Sequence, residues 1–236
     1  MKDAGGSSAH ATLATSPQSE RIRRFTLGTR LLHWLNALPF IALLITGLLI
    51  YLPAVKAVSF GAYRFVPLLH VIFGIAWMLA PLALLAVLRR RRAVLDDVAG
   101  SLTPARGDVD WLRYASLTLL GARVRQPPMG KYNAGQKLNS WYWILASTAL
   151  ALTGVVLAVN FFTKRVFDAA FVERVFPLHE LVALISLAPL AGHLYLTLIN
   201  RATRPSLPGM ITGEVDAAWA AEHHSAWAKE ESAGAT

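Results

Sequence analysis

The chain has 236 residues, of which 55% are hydrophobic and only 16% are charged, well below the roughly 25% of a soluble domain. The formal net charge is +9, but the basic residues gather at the ends of long apolar runs, which indicates contact with membrane lipid and argues against a nucleic-acid partner. Cysteine is absent, which excludes disulfide bonds, thiol chemistry and iron–sulfur ligation by this chain.

The first segment, residues 1–21, is small and polar. We predict a disordered cytoplasmic tail, because such a segment cannot bury enough apolar surface to become ordered. It lacks the apolar stretch of about 7–15 residues that a secretory signal requires.

Four apolar runs follow, each longer than the ~20 residues that a helix needs to cross the hydrocarbon layer. Unpaired backbone amides are costly in lipid, so runs of this kind form helices. The sequence therefore predicts an all-α membrane protein, a bundle of four transmembrane helices within a membrane domain at 22–205. The predicted spans are 31–55, 65–88, 140–162 and 175–199.

Positive charge predicts the side of the membrane on which each loop lies. Lys and Arg are frequent before the first span, after the second, before the third and after the fourth, and they are sparser in the two remaining loops. The positive-inside rule therefore predicts that both termini and the 89–139 segment are cytoplasmic. Within that segment we predict a short amphipathic helix at 108–120 and an irregular loop at 123–137. Residues 206–236 are predicted to be a polar cytoplasmic tail, and no internal repeat is evident.

Four histidines lie inside the predicted spans, where ionisable side chains are costly and usually mark function. The alternating direction of the spans sorts them by depth: His70 and His179 share the external side, and His33 and His193 share the cytoplasmic side. His179 and His193 are 14 residues apart, close to four helical turns, so one helix can present both on one face. The three histidines in the polar tails receive no role.

Haem iron takes one axial ligand on each side of the ring, so two depth-matched pairs predict two stacked haem sites. Glycines such as Gly47 and Gly154 allow the close backbone approach that a macrocycle between helices needs. Helix packing and zinc binding also stay open as roles for these histidines. Single histidines often serve packing, although this role does not account for two matched depths. A zinc site would want another histidine or carboxylate within a turn, and only Glu180 offers one, which we expect to lie at an interface.

Several of these segments resemble a known family. They are the segment RFTLGTRLLHW around His33, His70 followed by Gly74, the spacing of His179 and His193, and the segment GKYNAGQK at 130–137. All are similar to the cytochrome b (gamma) subunit of membrane-bound formate dehydrogenase, within the wider family of hydrogenase-type and b561-like bacterial cytochromes. The resemblance covers about residues 22–205, and GKYNAGQK is its more specific part.

The resemblance implies two haem b groups and a quinone, either menaquinone or ubiquinone. The iron ligands would form two pairs, His70 with His179 and His33 with His193. Asn133 and Gly135 match positions that contact the quinone in that family, and Gln136 lies beside them. Amide groups and a glycine N–H suit a quinone carbonyl, but on the residues alone an ordinary turn explains this loop equally well.

The resemblance also implies partners: an iron–sulfur subunit and a molybdenum- or tungsten-pterin catalytic subunit, assembled in the bacterial inner membrane. This chain would carry electrons to a quinone reduced near the cytoplasmic face, and it would have no formate-oxidising site of its own. Two alternatives stay open. One is the cytochrome b subunit of a hydrogenase or another quinone-linked oxidoreductase, and the other is a haem-free helical transporter or assembly factor.

Overall fold

The computed structural model describes residues 20–56, 58–163 and 166–234, and these residues are mostly helical. The predicted disordered tail therefore falls outside the described residues, except for its end. The helices are α1 (Leu27–Leu49), α2 (Pro53–Lys56), α3 (Phe65–Val87), α4 (Arg91–Leu102), α5 (Asp108–Leu119), α6 (Ala134–Thr163), α7 (Ala169–Leu194), α8 (Leu207–Ile211), α9 (Ala217–His223) and α10 (Ser225–Gly234). A π-helical turn at Tyr195–Ile199 continues α7, and a 3₁₀ turn covers Arg204–Ser206. The strands are β1 (Arg21–Arg23), β2 (Ser59–Phe60), β3 (Tyr63–Arg64) and β4 (Glu214–Asp216).

Four of these helices are long and apolar enough to cross a membrane: α1, α3, α6 and α7 with its π-helical turn. The prediction of four spans is confirmed, but several boundaries differ. The first helix ends at Leu49, because the chain turns before Pro53 and the residue before a proline disfavours helix. The third and fourth begin earlier than predicted, since Asn133 and Asp168 provide N-caps that hydropathy does not detect.

The bundle consists of two helix hairpins, α1 with α3 and α6 with α7. Phe40, Trp77 and Leu150 form the buried centre where the hairpins meet. The outer surfaces carry large exposed apolar side chains, such as Leu82 at 63% and Leu152 at 67% exposure. A continuous apolar exterior of this kind is expected of helices that face lipid.

The two ends of the bundle differ in size. One end contains the short connection between α1 and α3, where β2 pairs with β3, and the connection between α6 and α7. We call it the narrow end. We call the broad end the opposite one, where α1 begins and α7 ends. It carries α4, α5, the β1–β4 pair and the helices α8–α10.

The 89–139 segment is more helical than predicted. The short helix predicted at 108–120 is confirmed as α5. In contrast, α4 was not predicted, although Val94, Val98 and Leu102 recur every four residues along it. The predicted irregular loop at 123–137 is irregular only to residue 133, since α6 already includes residues 134–137.

The segment predicted as a polar tail, 206–236, is folded over its described part. Strand β4 pairs antiparallel with β1, so that Ile22 lies opposite Val215. Val215, Trp219 and Trp227 then form a small buried core, together with two alanines of α9 and α10. The average composition of this segment is polar, which concealed the apolar face that these residues share.

Candidate functional site

The structure brings the four intramembrane histidines together in two pairs. At the narrow end, the ring centres of His70 on α3 and His179 on α7 are 6.2 Å apart. At the broad end, the ring centres of His33 on α1 and His193 on α7 are also 6.2 Å apart. We call these the narrow-end pair and the broad-end pair. Helix α7 contributes one imidazole to each.

Two threonines define the orientation of the narrow-end pair. The Thr46 hydroxyl lies 2.9 Å from His70 Nδ1, and the Thr153 hydroxyl lies 2.8 Å from His179 Nδ1. Each hydroxyl also donates its hydrogen to the carbonyl of the residue four positions earlier in its own helix. A hydroxyl has a single hydrogen, so each imidazole must be the donor at Nδ1. The lone pair of each ring therefore lies on Nε2, the nitrogen left for a metal.

A glycine follows each of these threonines and faces the same imidazole. A Cβ placed on Gly47 would lie 3.4 Å from His70 Cε1, and one on Gly154 would lie 3.5 Å from His179 Cε1. A longer side chain at either position would press on the ring. Thr46 and Gly47 of α1 thus contact the imidazole of His70 on α3, and Thr153 and Gly154 of α6 contact that of His179 on α7.

Sequence reasoning missed both threonines and the repetition that they reveal. A Thr-Gly pair is followed by histidine 24 residues after the first threonine and 26 residues after the second. Both helix hairpins thus have a Thr-Gly pair on the first helix that contacts a histidine on the second, at spacings that differ by only two residues. Searching for the dipeptide together with the distant histidine would have detected it.

Both pairs fit axial ligation of haem iron. Iron–imidazole bonds of about 2 Å, plus ~1 Å from each bonding nitrogen to its ring centre, would place two axial imidazoles about 6 Å apart. The observed ring separations agree with this value. Hydrogen bonds from Nδ1 to a fixed acceptor are also the usual support for a histidine that ligates a metal.

Polar and aromatic residues fill the bundle between the two pairs. Ser186 lies midway between His179 and His193 on α7, is fully buried and shares a 2.8 Å hydrogen bond with the Tyr142 hydroxyl. The Phe40 ring packs edge-on against Trp143 at 5.0 Å between ring centres. These contacts lie between the levels of the two histidine pairs.

The three residues predicted to contact a quinone lie at the beginning of α6, at the broad end. The Asn133 side-chain oxygen accepts from the Gln136 backbone N–H at 2.9 Å, and the Gln136 side-chain oxygen accepts from the Asn133 backbone N–H at 3.0 Å. This reciprocal arrangement is a capping box. The cap uses the two side-chain oxygens, whereas the amide NH₂ groups take no part in it.

Gly135 has a packing role in the same turn. A Cβ at this position would lie 2.8 Å from Trp111 Cη2, so the absence of a side chain allows α5 to lie against α6. An ion pair of 2.9 Å between Lys137 and Asp108 joins the same two helices. Both partners of this ion pair are largely buried.

A site for an isolated metal ion requires more than paired imidazoles. Within the ranges that the structure describes, no three His, Cys, Asp or Glu side chains come together to hold one. Glu180, next to His179, is half-buried.

Comparison with known families decides the class of this bundle. The sequence matches the prokaryotic cytochrome b561 family over residues 24–213, which is most of the chain. The chain belongs to this family. Membership of a cytochrome b family implies haem b as the cofactor of this b561-type cytochrome, in agreement with the fit of the histidine pairs.

The cytochrome is similar to three curated relatives. It is 27% identical over 215 residues to the nitrate-inducible formate dehydrogenase cytochrome b556(Fdn) subunit of Escherichia coli, covering 90% of this chain and 93% of the relative. It is 25% identical to the formate dehydrogenase cytochrome b556 subunit of Haemophilus influenzae, covering 89% and 84%. It is 24% identical to the cytochrome b556(fdo) subunit of E. coli, covering 89% and 93%.

Proposed function

We propose that this chain is the di-haem cytochrome b subunit of a respiratory formate dehydrogenase in a bacterial inner membrane. It carries electrons across the membrane to a quinone, menaquinone or ubiquinone. The observation that carries the proposal is the pair of facing imidazoles at each end of the bundle, each at 6.2 Å between ring centres. The names of the similar proteins support the choice of formate dehydrogenase.

Each histidine pair holds one haem b. His70 and His179 are the axial ligands at the narrow end, and His33 and His193 are the ligands at the broad end. When bound, haem b supplies one-electron redox chemistry at each site. The chain itself sets the tautomer of the narrow-end ligands and the distance between the two sites.

The charge distribution supports an orientation with the broad end in the cytoplasm. This end carries the larger share of the basic residues, as the positive-inside rule requires of cytoplasmic segments. The basic residues that flank the four spans there are Arg21, Arg23, Arg24, Arg30, Arg89, Arg90, Arg91, Arg92, Lys131, Lys137, Arg201 and Arg204. Both termini are then cytoplasmic, and the narrow-end pair lies near the external face.

Electrons come from an iron–sulfur subunit on the external side, which receives them from a molybdenum- or tungsten-pterin subunit that oxidises formate to carbon dioxide. This chain lacks cysteine, so any cluster must be held by another subunit. Each quinone takes up two electrons and two protons, and the protons come from the cytoplasm. Asn133, Gly135 and Gln136 bind the quinone. The capping box does not use the amide NH₂ groups of Asn133 and Gln136, so these groups can donate to a quinone carbonyl, and the backbone N–H of Gly135 is a donor of the same kind.

Haem content of the purified chain tests the first part of the proposal. A pyridine haemochrome assay should give two haems for the natural chain and one for His193→Ala, because this substitution removes one ligand of the broad-end site only. No haem in the natural chain, expressed with ample cofactor supply, would favour a transporter or assembly factor.

The choice of formate dehydrogenase over a hydrogenase is tested by purifying the chain in mild detergent and identifying the subunits that co-purify with it.

A pair of substitutions at Asn133 separates quinone binding from helix capping. Asn133→Ser preserves an N-cap but removes the amide NH₂, whereas Asn133→Ala also removes the cap, which costs about 0.5–2 kcal/mol. We expect both variants to slow quinone reduction with unchanged haem spectra, and only the alanine variant to lower the unfolding temperature. Natural quinone kinetics in Asn133→Ser would leave this residue with the capping role alone.

A further inference from the structure

The C-terminal segment folds back over the loop that precedes α6. We call residues 214–234 the C-terminal strap. Three consecutive carbonyls of the loop accept hydrogen bonds. The strap donates two of them, from Ala226 N to Met129 O at 3.0 Å and from His224 Nδ1 to Gly130 O at 2.8 Å. The third comes from the Arg24 side chain, next to β1, to Lys131 O at 2.7 Å. The loop is therefore held along its backbone, independently of its side chains.

His224 occupies the centre of this contact and is only 1% exposed. Its Nδ1 can bond to the Gly130 carbonyl only as a donor, and its Nε2 accepts from the Arg24 guanidinium at 3.0 Å. The ring is therefore neutral, with its hydrogen on Nδ1. One side chain in one protonation state joins the strap, the loop and the segment before α1.

Arg24 completes the contact from the N-terminal side. It is 3% exposed, and its guanidinium lies over the rings of Trp219 and Trp227 at 5.3 and 5.7 Å. Such stacking stabilises a cation that has lost most of its water. Because β1 pairs with β4 immediately beside it, Arg24 and the strap form one folded unit.

The loop is also fixed on its other side. Lys131 forms an ion pair with Asp97 of α4, and Asp97 accepts a hydrogen bond of 2.6 Å from the Thr29 hydroxyl. Thr29 lies one helical turn before His33 on α1. The loop that leads into the Asn133 cap is therefore clamped between the strap and the helix that carries a ligand of the broad-end pair.

We propose that the C-terminal strap positions the quinone-binding turn, with His224 as the positioning residue. This inference rests on the proposed function, since it assigns a role in binding the same quinone. His224 does not contact the quinone itself. It holds residues 129–131 so that Asn133 and Gln136 face the broad-end site.

Quinone binding to full-length variants tests the proposal. The probe is a water-soluble naphthoquinone, added to the oxidised, haem-loaded chain for the equilibrium Kd and to the dithionite-reduced chain for the rate of reoxidation. In His224→Ala we expect a Kd raised about tenfold or more, with two haems and an unchanged haem spectrum. His224→Gln, whose amide can both donate and accept, should recover most of the affinity.

His223→Ala is the matched control, because the His223 side chain bonds to the Trp219 carbonyl and stacks on its ring within α9. It should bind the naphthoquinone like the natural chain. An unchanged Kd in His224→Ala would overturn the proposal. A second result would also overturn it: loss of both haem and quinone affinity in His224→Ala and in the milder His224→Asn. In that case the strap would stabilise the whole bundle and would have no specific role at the quinone-binding turn. Failure of the proposed function is a separate result, namely a natural chain that holds no haem or does not react with the naphthoquinone.

Discussion

At the scale of single residues, the decisive contribution is made by two hydroxyl groups. Thr46 and Thr153 each use their only hydrogen within their own helix and then accept from a histidine Nδ1 of the neighbouring helix. The imidazole is thereby fixed in the tautomer that presents Nε2 to a metal. The supporting residue of a ligand commonly changes metal affinity by about 10–100-fold.

Thr153→Val should weaken the narrow-end site, because valine keeps the shape of threonine but leaves the Nδ1–H of His179 without a partner. Both proteins are diluted in detergent under conditions in which the natural chain keeps two haems. Under these conditions we expect the variant to keep only one haem per chain. The pyridine haemochrome assay measures this difference. Thr148→Val is the control, since the Thr148 hydroxyl is exposed and donates to the Ile144 carbonyl of the same helix. Equal haem retention in the two variants would contradict a supporting role for Thr153.

At the scale of elements, the first turn of α6 is the point at which α5 and α6 are joined next to the loop. Its capping box fixes the N-terminus of α6, and Gly135 leaves room for the Trp111 indole of α5 to pack against this turn. The Lys137–Asp108 ion pair then holds α5 in place. The residues that we assign to quinone binding are thus part of a rigid junction rather than of a free turn.

Gly135→Ala should destabilise this junction, because the new methyl group would meet a rigid indole at 2.8 Å. Overpacking of this kind costs about 1–3 kcal/mol, and we expect a lower thermal unfolding temperature in detergent. Gly100→Ala in α4 is the control, since its Cβ would meet Tyr132 at an ordinary 3.5 Å. Trp111→Phe combined with Gly135→Ala should restore part of the loss. A stability equal to that of the natural chain would show that α5 adjusts freely.

At the scale of the whole molecule, the broad end unites segments from both termini and the centre of the chain. Burial, followed by the nearby Arg24 guanidinium, lowers the pKa of His224 from 6.5 to about 3. The unfolded chain therefore binds more protons than the folded chain between about pH 3 and 6.5. Stability rises with pH across this window and reaches its full value above it.

Acidification from pH 7 to pH 5 should accordingly cost the natural chain about 2 kcal/mol through His224 alone. In His224→Gln this loss should be absent, while the contributions of other groups remain. Chemical or thermal unfolding of both proteins at the two pH values measures the difference. Parallel losses in the two proteins would mean that His224 can accept a proton without leaving its site.

The sequence predicted the four spans and which histidines face each other, because hydropathy and helical spacing determine both. It missed the cap at Asn133, although Asn133 followed three residues later by Gln136, just before an apolar run, is a sequence signature of a capping box. It also missed Thr46 and Thr153, which are ordinary residues of apolar helices until a histidine is known to face them. The folding of residues 214–234 depends in part on Trp219 and Trp227, whose rings pack against Arg24, roughly 200 positions away in the chain.

The position of the C-terminal strap in the chain has a consequence for biosynthesis. The ribosome delivers all four membrane helices before residues 214–234, so the newly inserted bundle has its broad end uncovered. Residues 21–24 and 129–130 are made long before their partners in the C-terminal strap. Translation order therefore leaves Arg24 and the carbonyls of residues 129 and 130 without these partners until the four membrane helices have been made.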